Sequence, residues 1–512
     1  MNGDETRSAQ LFAMMAAANP DDRTIARRAI STAIQSGQSA LAISLAQKVP
    51  AAELPVDARL MLVGDLLRRG KHKEAVAALE KGATSTEVEL FAPLVKAWER
   101  TARGKDDGVE LLSQISAASP LAPIADEQKA AMLLALGKAD EGLAMARKTL
   151  VQSGNGGRNV RLRLAYADAL LGLKRKDDAL SMLQGNDEAL VAARARIAEG
   201  KRLNMALDTP AAGFAETLIA LAIDLGRDDN KALPIALTQV ARQANPGNSE
   251  AAILLALLLD GDGRSDDALA VLRTVPADDL LVGEALDVET RLLSDRKDYA
   301  GALSRAKLAT EAPGATSQDF SRLANVLGDM ERHGEAAAAY GEAISRTVAS
   351  GDKPNWTLHL LRAASLEQAG RWDEAKGELE TALKLEPENA LLLNFLGYGK
   401  LERGEDLEQA EAMIRKASAL RPEDASITDS LGWALYKRGR LPEAIETLSK
   451  AAAGDPSQAE IHEHLGDALF SAGRRIEARF SWQAALVTAE DKAKLRLERK
   501  LETGLSPATA AP

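Results

Sequence analysis

The stretch "DSLGWALYKRGRLPEAIETLSKAAAGDP", Asp429 to Pro456, decides the fold, because its landmarks return at a near-constant interval on either side. Gly432 lies 35 residues after Gly397 in "LLNFLGYGKLERG" and 34 before Gly466 in "EIHEHLGDALFSAG". Ala410, Ala444 and Ala478 recur with it, as do Pro387, Pro422 and Pro456. A sustained period of this length identifies a repeat architecture before any single residue can.

Within one period, apolar residues fall at i, i+3 and i+4 on two stretches, with a break at Gly439 or Gly473 between them and a proline after the second. Each period therefore reads as a helical hairpin. Gly432 and Ala444 are small because two helices joined by a short turn approach closely only where one side chain gives way to another. Walking the second-helix landmark back gives Ala375, Ala336, Ala302, Ala268 and Pro234, then Ala179, Gly142, Gly108, Ala75, Ala42 and Ser8. The steps are 34, 34, 34, 39, 35, 34 and 34 downstream of Pro234, and 37, 34, 33, 33 and 34 upstream of Ala179. The 39 marks an inserted loop, "RTVASGDKPNW".

The pattern LG, then aromatic or leucine, G, EA, A and P resembles the tetratricopeptide repeat, strongly from Gln318 onward and weakly before Gly185. The resemblance implies an all-α fold: an α-solenoid of about 12 to 14 hairpins in a right-handed superhelix, closed by a C-terminal capping helix. One interval departs from the rule, since Ala179 to Pro234 spans 55 residues and contains "QGND" and the breaker run "DTPAAG". This places a junction at 185–215 between a divergent N-terminal solenoid, 1–184, and a C-terminal solenoid, 216–487, with 488–512 as capping helix and flexible tail. "QSGNGGRN", Gln152 to Asn159, reads as an inter-repeat loop, since no Gly-Lys-Ser or Gly-Lys-Thr follows it and no strand precedes it.

Composition narrows the function classes. With 46% hydrophobic and 27% charged residues the 512-residue chain is that of a folded protein, and no apolar run approaches the roughly 20 residues needed to cross a bilayer. A net charge of -11 without a basic stripe argues against nucleic acid. Zero cysteines exclude disulfides and thiolate chemistry and leave the redox compartment open. The opening "MNGDETRSAQLFAMMAAANPDD" is acidic where a secretory signal is basic, so it is not a signal peptide. Ser8 and Pro20 instead fit the second helix of a repeat. The expectation is that the natural product extends upstream, where a signal peptide or lipid-bearing cysteine would lie.

Signals for catalysis are poor. His462 and His464 are the closest histidine pair, and two residues apart on a helix they point about 200° away from one another. "DGDGRSDDA", Asp260 to Ala268, lacks the closing glutamate of a calcium loop and falls where other repeats turn. No nucleophile elbow or dinucleotide fingerprint is present, so neither enzyme activity, a metal nor a cofactor is expected. Function then belongs to a surface, and in tetratricopeptide-like stacks the first helices line a groove that takes peptides or helices.

If Leu431, Gly432 and Leu435 face the paired helix, Asp429, Trp433, Tyr436 and Lys437 form a separate stripe. The matching positions are Asn394, Tyr398 and Leu401 in the repeat before and Glu463, Asp467 and Phe470 in the repeat after. Of the 17 aromatics, 11 lie at or beyond Phe320, which makes this end the better binding candidate. For Trp433 and Tyr436, inter-repeat packing stands as the alternative to a binding anchor. Tetratricopeptide clamps for acidic chaperone tails carry lysine three residues before the small packing residue and asparagine one after it. Here those positions read Asn394 and Tyr398, Asp429 and Trp433, Glu463 and Asp467, so the groove suits a neutral or basic segment.

"GFAETLIALAIDLGR", "ALTQVARQANPGN" and the two C-terminal repeats are similar to bacterial envelope tetratricopeptide proteins, among them a lipoprotein adaptor that recruits a carboxy-terminal processing protease. That resemblance implies a non-enzymatic scaffold of the periplasm, membrane-anchored through an N-terminal segment, whose partners are other proteins, a processing protease among them. The alternative is a cytoplasmic assembly or regulatory scaffold.

Overall fold

The computed structural model describes residues 5–81, 86–115, 119, 121–152, 157–312, 315–351, 353 and 355–511, with backbone only at 86–90. Among the described residues the chain forms 29 α-helices and one short 3-10 turn, and no strand. No described helix is long and apolar enough to cross a membrane.

The hairpin is written locally. A first helix opens on a side-chain cap, as where Asp424 accepts from the backbone N–H groups of Ser426 and Ile427, or Asn389 from Leu391 and Leu392. It closes on a glycine in the left-handed region, Gly439 at φ 74° and Gly473 at φ 82°, where a Cβ would be strained. Arg440 N–H then donates to Leu435 O at 2.9 Å, and the chain reverses into the second helix. The two helices touch at the small positions. A Cβ on Gly432 would lie 2.6 Å from Leu448 Cγ, and one on Gly397 2.7 Å from Ile414 Cγ1. Every second-helix landmark from Ala42 to Ala478 is buried, whereas Ser8 is half-buried beside the wholly buried Ala9.

The irregular steps have local answers. The extra residue of the 35-residue step is taken up at Asp406, which caps the Leu407–Leu420 helix from φ 39°. The insertion of the 39-residue step is not all loop, because part of it lengthens the His333–Ala349 helix to 17 residues before Gly351 turns the chain. Residues 352 and 354 of that stretch lie outside the described residues, as do 1–4 and 153–156 of "QSGNGGRN". "DGDGRSDDA" is a turn: Gly263 is at φ 77° and Ser265 Oγ donates to Asp260 at 2.6 Å.

The described residues group into two compact units, 1–305 and 306–512, so the 185–215 stretch lies inside the first. There 188–198 is helical and 201–208 has no regular secondary structure, with Asn204 at φ 59°. Asp168 holds the irregular part by accepting from the N–H groups of Met205 at 2.7 Å and Ala206 at 3.0 Å, and Leu203, Met205 and Leu207 are buried. The "DTPAAG" run starts a helix and does not break one: Thr209 caps Pro210–Leu225 with Pro210 at its first position. Within this unit the early helices also meet late ones, unlike a stack in which each repeat touches only its neighbours. Val56–Arg68 packs on Pro210–Leu225 and Ala232–Ala244, with Gln243 Nε2 donating to Asp65 at 3.2 Å and Gln35 Nε2 to Ala232 O at 2.6 Å. Phe214, Leu218 and Val240 share one core with Leu60 and Met61.

In the second unit the hairpins pack in series, each on the next, through a chain of small cores, and the Asp491–Thr503 helix caps the last. Leu497 is its fully buried anchor.

Candidate peptide-binding groove

The stripe nominated from sequence divides in two. Its centre is packing. Trp433 is 1% exposed, stacked on Tyr436 at 4.7 Å and on His464 at 4.1 Å, and its indole N–H donates to Glu402 at 2.9 Å. Leu401 lies buried in the same cluster. The face that sequence reading left to solvent at these positions is the seam between successive hairpins, so Trp433 is no exposed anchor. Tyr436 is half-buried, its hydroxyl 3.1 Å from Ser471 Oγ, and Lys437 is exposed, with Nζ 5.0 Å from the centre of the Trp433 ring and 3.6 Å from Glu402.

The far end of the stripe is filled by the chain itself. Glu463 and Asp467 are buried under the capping helix, and so is the lysine that answers them: Lys500 Nζ lies 2.6 Å from Glu463 and 2.7 Å from Asp467. Arg496 adds two bonds of 2.7 Å to Glu463. Burial alone would raise the Glu463 carboxyl, but these two cations hold it below its usual range. At Asp467 burial wins and the carboxyl is raised, against Lys500, the Ala511 N–H and the Trp482 indole N–H. The Ala511 N–H donates to Asp467 at 3.0 Å, and Ala511 is buried with Tyr398, Leu401 and Trp433, so the tail is seated and not loose. Phe470 is half-buried against Trp482 and the Gly504 turn.

What stays open is the near end. The helices Trp356–Gln368, Ala390–Glu402 and Ala425–Lys437 and the start of Ala459–Ser471 line a pocket of about 560 Å³. Its apolar wall is Leu360, Leu361, Leu391 and Phe395; its polar wall is Asn394, Asp429, Gln458 and Glu460, with Tyr398 between. Leu361 and Leu391 are 38% and 39% exposed, large for leucines on a packed repeat. Asn394 Oδ1 and Asp429 Oδ1 are buried with no hydrogen-bond partner. The other oxygen of Asp429 is taken, at 2.9 Å, by His464 Nδ1. Burial opposes a charge on His464, yet Asp429 first, then Glu460 and Asp467, raise it above the ordinary histidine range. Tyr398 is driven well up by burial and by the carboxylates of Glu402, Glu460 and Asp429, and is a neutral phenol.

Three of the residues chosen from sequence, Asn394, Tyr398 and Asp429, thus line the pocket. The leucines, Phe395, Gln458, Glu460 and His464 were not chosen, although their places follow from repeat register: Glu460 stands three residues before Glu463, and Leu360 one period before Asn394.

A second charged cluster is interior to the N-terminal unit. Arg158 pairs with Glu127 and, at 3.1 Å, with Glu216, while Arg161 lies 3.6 Å from Glu216 and 3.8 Å from Glu250. Burial and then Glu216 push the Glu250 carboxyl up to about 8, against the two arginines. His462 and His464 turn to different partners, Pro456 O and Asp429. Among the described residues no group of three potential ligands is placed to hold a metal.

A family profile described as "TPR repeat" matches residues 432–473, and one described as "Tetratricopeptide repeat" matches 321–390 and 360–398. No curated protein matches the chain. Among solved structures, the chain is similar to the APC/C hetero-tetramer Cut9–Hcn1 at 15% identity and TM-score 0.40, over 97% of this chain and 99% of that one. It is similar to YrrB, a TPR protein with an unusual peptide-binding site, at 21% identity and TM-score 0.30 over 38% of this chain and 98% of that one. MamA from Desulfovibrio magneticus RS-1 matches at 20% identity and TM-score 0.30 over 35% and 97%. Carried by the all-helical hairpin stack and by these profile matches, residues 321–398 and 432–473 are tetratricopeptide repeats.

Proposed function

We propose that the chain is a non-enzymatic scaffold that docks a segment of another protein in the pocket between Leu360 and Glu460. Tetratricopeptide proteins in general mediate protein–protein interactions. The observation that carries this particular site is the joint exposure of Leu361 and Leu391 beside the unpartnered Asn394 and Asp429 oxygens, because an apolar wall with a few convergent polar groups is what a peptide site needs. A photo-crosslinking residue placed at Leu391 in the source cell should form adducts with a discrete partner, mapped by mass spectrometry, and Phe395→Glu in the pocket wall should abolish them. Adducts that persist unchanged in that variant would move the docking surface elsewhere.

Placement in the bacterial envelope, with a carboxy-terminal processing protease among the partners, is supported by the resemblance of the quoted segments alone. The same adducts decide it: a processing protease or its cell-wall substrates among them supports the envelope reading, and cytoplasmic proteins alone support the alternative.

A further inference from the structure

The last repeat carries its own occupant, and that occupant describes what the open pocket lacks. Glu463 and Asp467 stand one turn apart on the Ala459–Ser471 helix, and the capping helix answers with Arg496 and Lys500, also one turn apart, around the buried Leu497. One period back, the place of Glu463 is held by Asp429; one further back, by Asn394. Both line the pocket and each holds one buried oxygen with no partner, and at the rim the Glu460 side chain is 66% exposed. A buried acceptor without a donor is costly, and a carboxylate more so, so each is a place where an ammonium or guanidinium would be favoured.

We infer that the pocket takes a basic helical segment of a partner protein, with Lys or Arg side chains one turn apart and an apolar residue between them, as the capping helix has at Glu463 and Asp467. This rests on the docking reading above and gives it a chemistry. The cations meet Asn394, Asp429 and Glu460, and the apolar residue meets Leu361 and Leu391. An acidic segment would set its carboxylates against Asp429 and Glu460 and is rejected; an uncharged one supplies hydrogen bonds at most and leaves the Glu460 charge unanswered.

The probe is a fluorescein-labelled 13-residue peptide with the sequence of residues 491–503, DKAKLRLERKLET, titrated by anisotropy into the full chain at low salt. Saturable binding is expected. It should weaken at least about tenfold when the peptide's counterparts of Arg496 and Lys500 are glutamine, and at least about fivefold when the same residues are scrambled so that no two cations stand one turn apart. Asp429→Asn with Glu460→Gln should cost about tenfold or more. Because Asp429 also holds His464, Glu460→Lys at the exposed rim serves as the second variant; Glu460 lies 4.0 Å from the buried His464 ring, so its melting temperature is measured beside its affinity, and with the fold intact it too should weaken binding. Absence of saturable binding, equal affinity for the ordered and scrambled peptides, or equal affinity of the wild-type and Glu460→Lys chains would overturn the inference. Adducts from Leu391 that survive such a result leave docking intact and remove only the cationic partner; their absence removes docking itself.

Discussion

Trp433 shows how a residue can be chosen for the right helix and the wrong reason. A helical wheel separates the face toward the paired helix from the rest, but in a stack the rest includes a second buried face, toward the next hairpin. Trp433 lies between Glu402, 31 residues before it, and His464, 31 after, and no single-helix pattern shows either. The charged neighbours at those offsets were the available signal. Trp433→Ala should therefore cost about 3 to 5 kcal/mol of stability, the scale of a truncated buried aromatic, read as a shift of the denaturant midpoint. His464 is the second residue of that seam. Its raised value means that its pairing with Asp429 stabilises fully below the unfolded histidine value near 6.5 and is lost as pH rises through the higher folded one. The acids that face it are Asp429, Glu460 and Asp467. The stability difference between wild type and His464→Gln should be larger at pH 5.5 than at pH 9; a difference that grows with pH would reverse the assignment.

Element by element, the helices and their turns were legible because each is punctuated by residues whose backbone chemistry leaves few choices. The turn position, however, is not always glycine. Gly263, Lys297 and Glu331 follow one another at 34-residue steps with φ of 77°, 61° and 57°, so two L-residues with side chains occupy the left-handed region. That conformation costs a side-chain-bearing residue about 1 kcal/mol or more, partly offset by the greater unfolded freedom of glycine. Lys297→Gly and Glu331→Gly should each stabilise by up to about 1 kcal/mol, measured by chemical denaturation, since both side chains are exposed and lose no packing. The capping helix was legible as an element from its charges and leucines, but its meaning was not. Nothing in "EDKAKLRLERKLETGL" says that Lys500 is buried, because the carboxylates that allow it are 33 and 37 residues earlier. Lys500→Met should destabilise by about 3 to 5 kcal/mol, as removal of one partner from a buried ion cluster does.

For the whole molecule, the sequence carries the repeat period but not which repeats share a core, because contacts such as Gln243 to Asp65 span 178 residues and leave no periodic trace. The C-terminal unit differs: its cores follow one another from Ala337 to Ala511 within neighbouring hairpins, and Thr316 opens its first whole hairpin with a reciprocal capping box to Asp319. Nearest-neighbour stacks of this kind carry their stability locally. A chain of residues 316–512 should therefore unfold in one cooperative transition by circular dichroism, with the helical content expected for that unit. A chain of residues 316–489 should not match it. Loss of the capping helix removes Arg496, Lys500 and Leu497 together, leaving Glu463 and Asp467 as paired acids on an uncovered face. The shorter chain should be weaker by at least about 3 kcal/mol, and its deficit should shrink as pH falls low enough to protonate Glu463, the carboxyl that Arg496 and Lys500 hold below its usual range. Equal stability of the two chains at pH 7 would show that the capping helix is dispensable and that the last repeat closes itself.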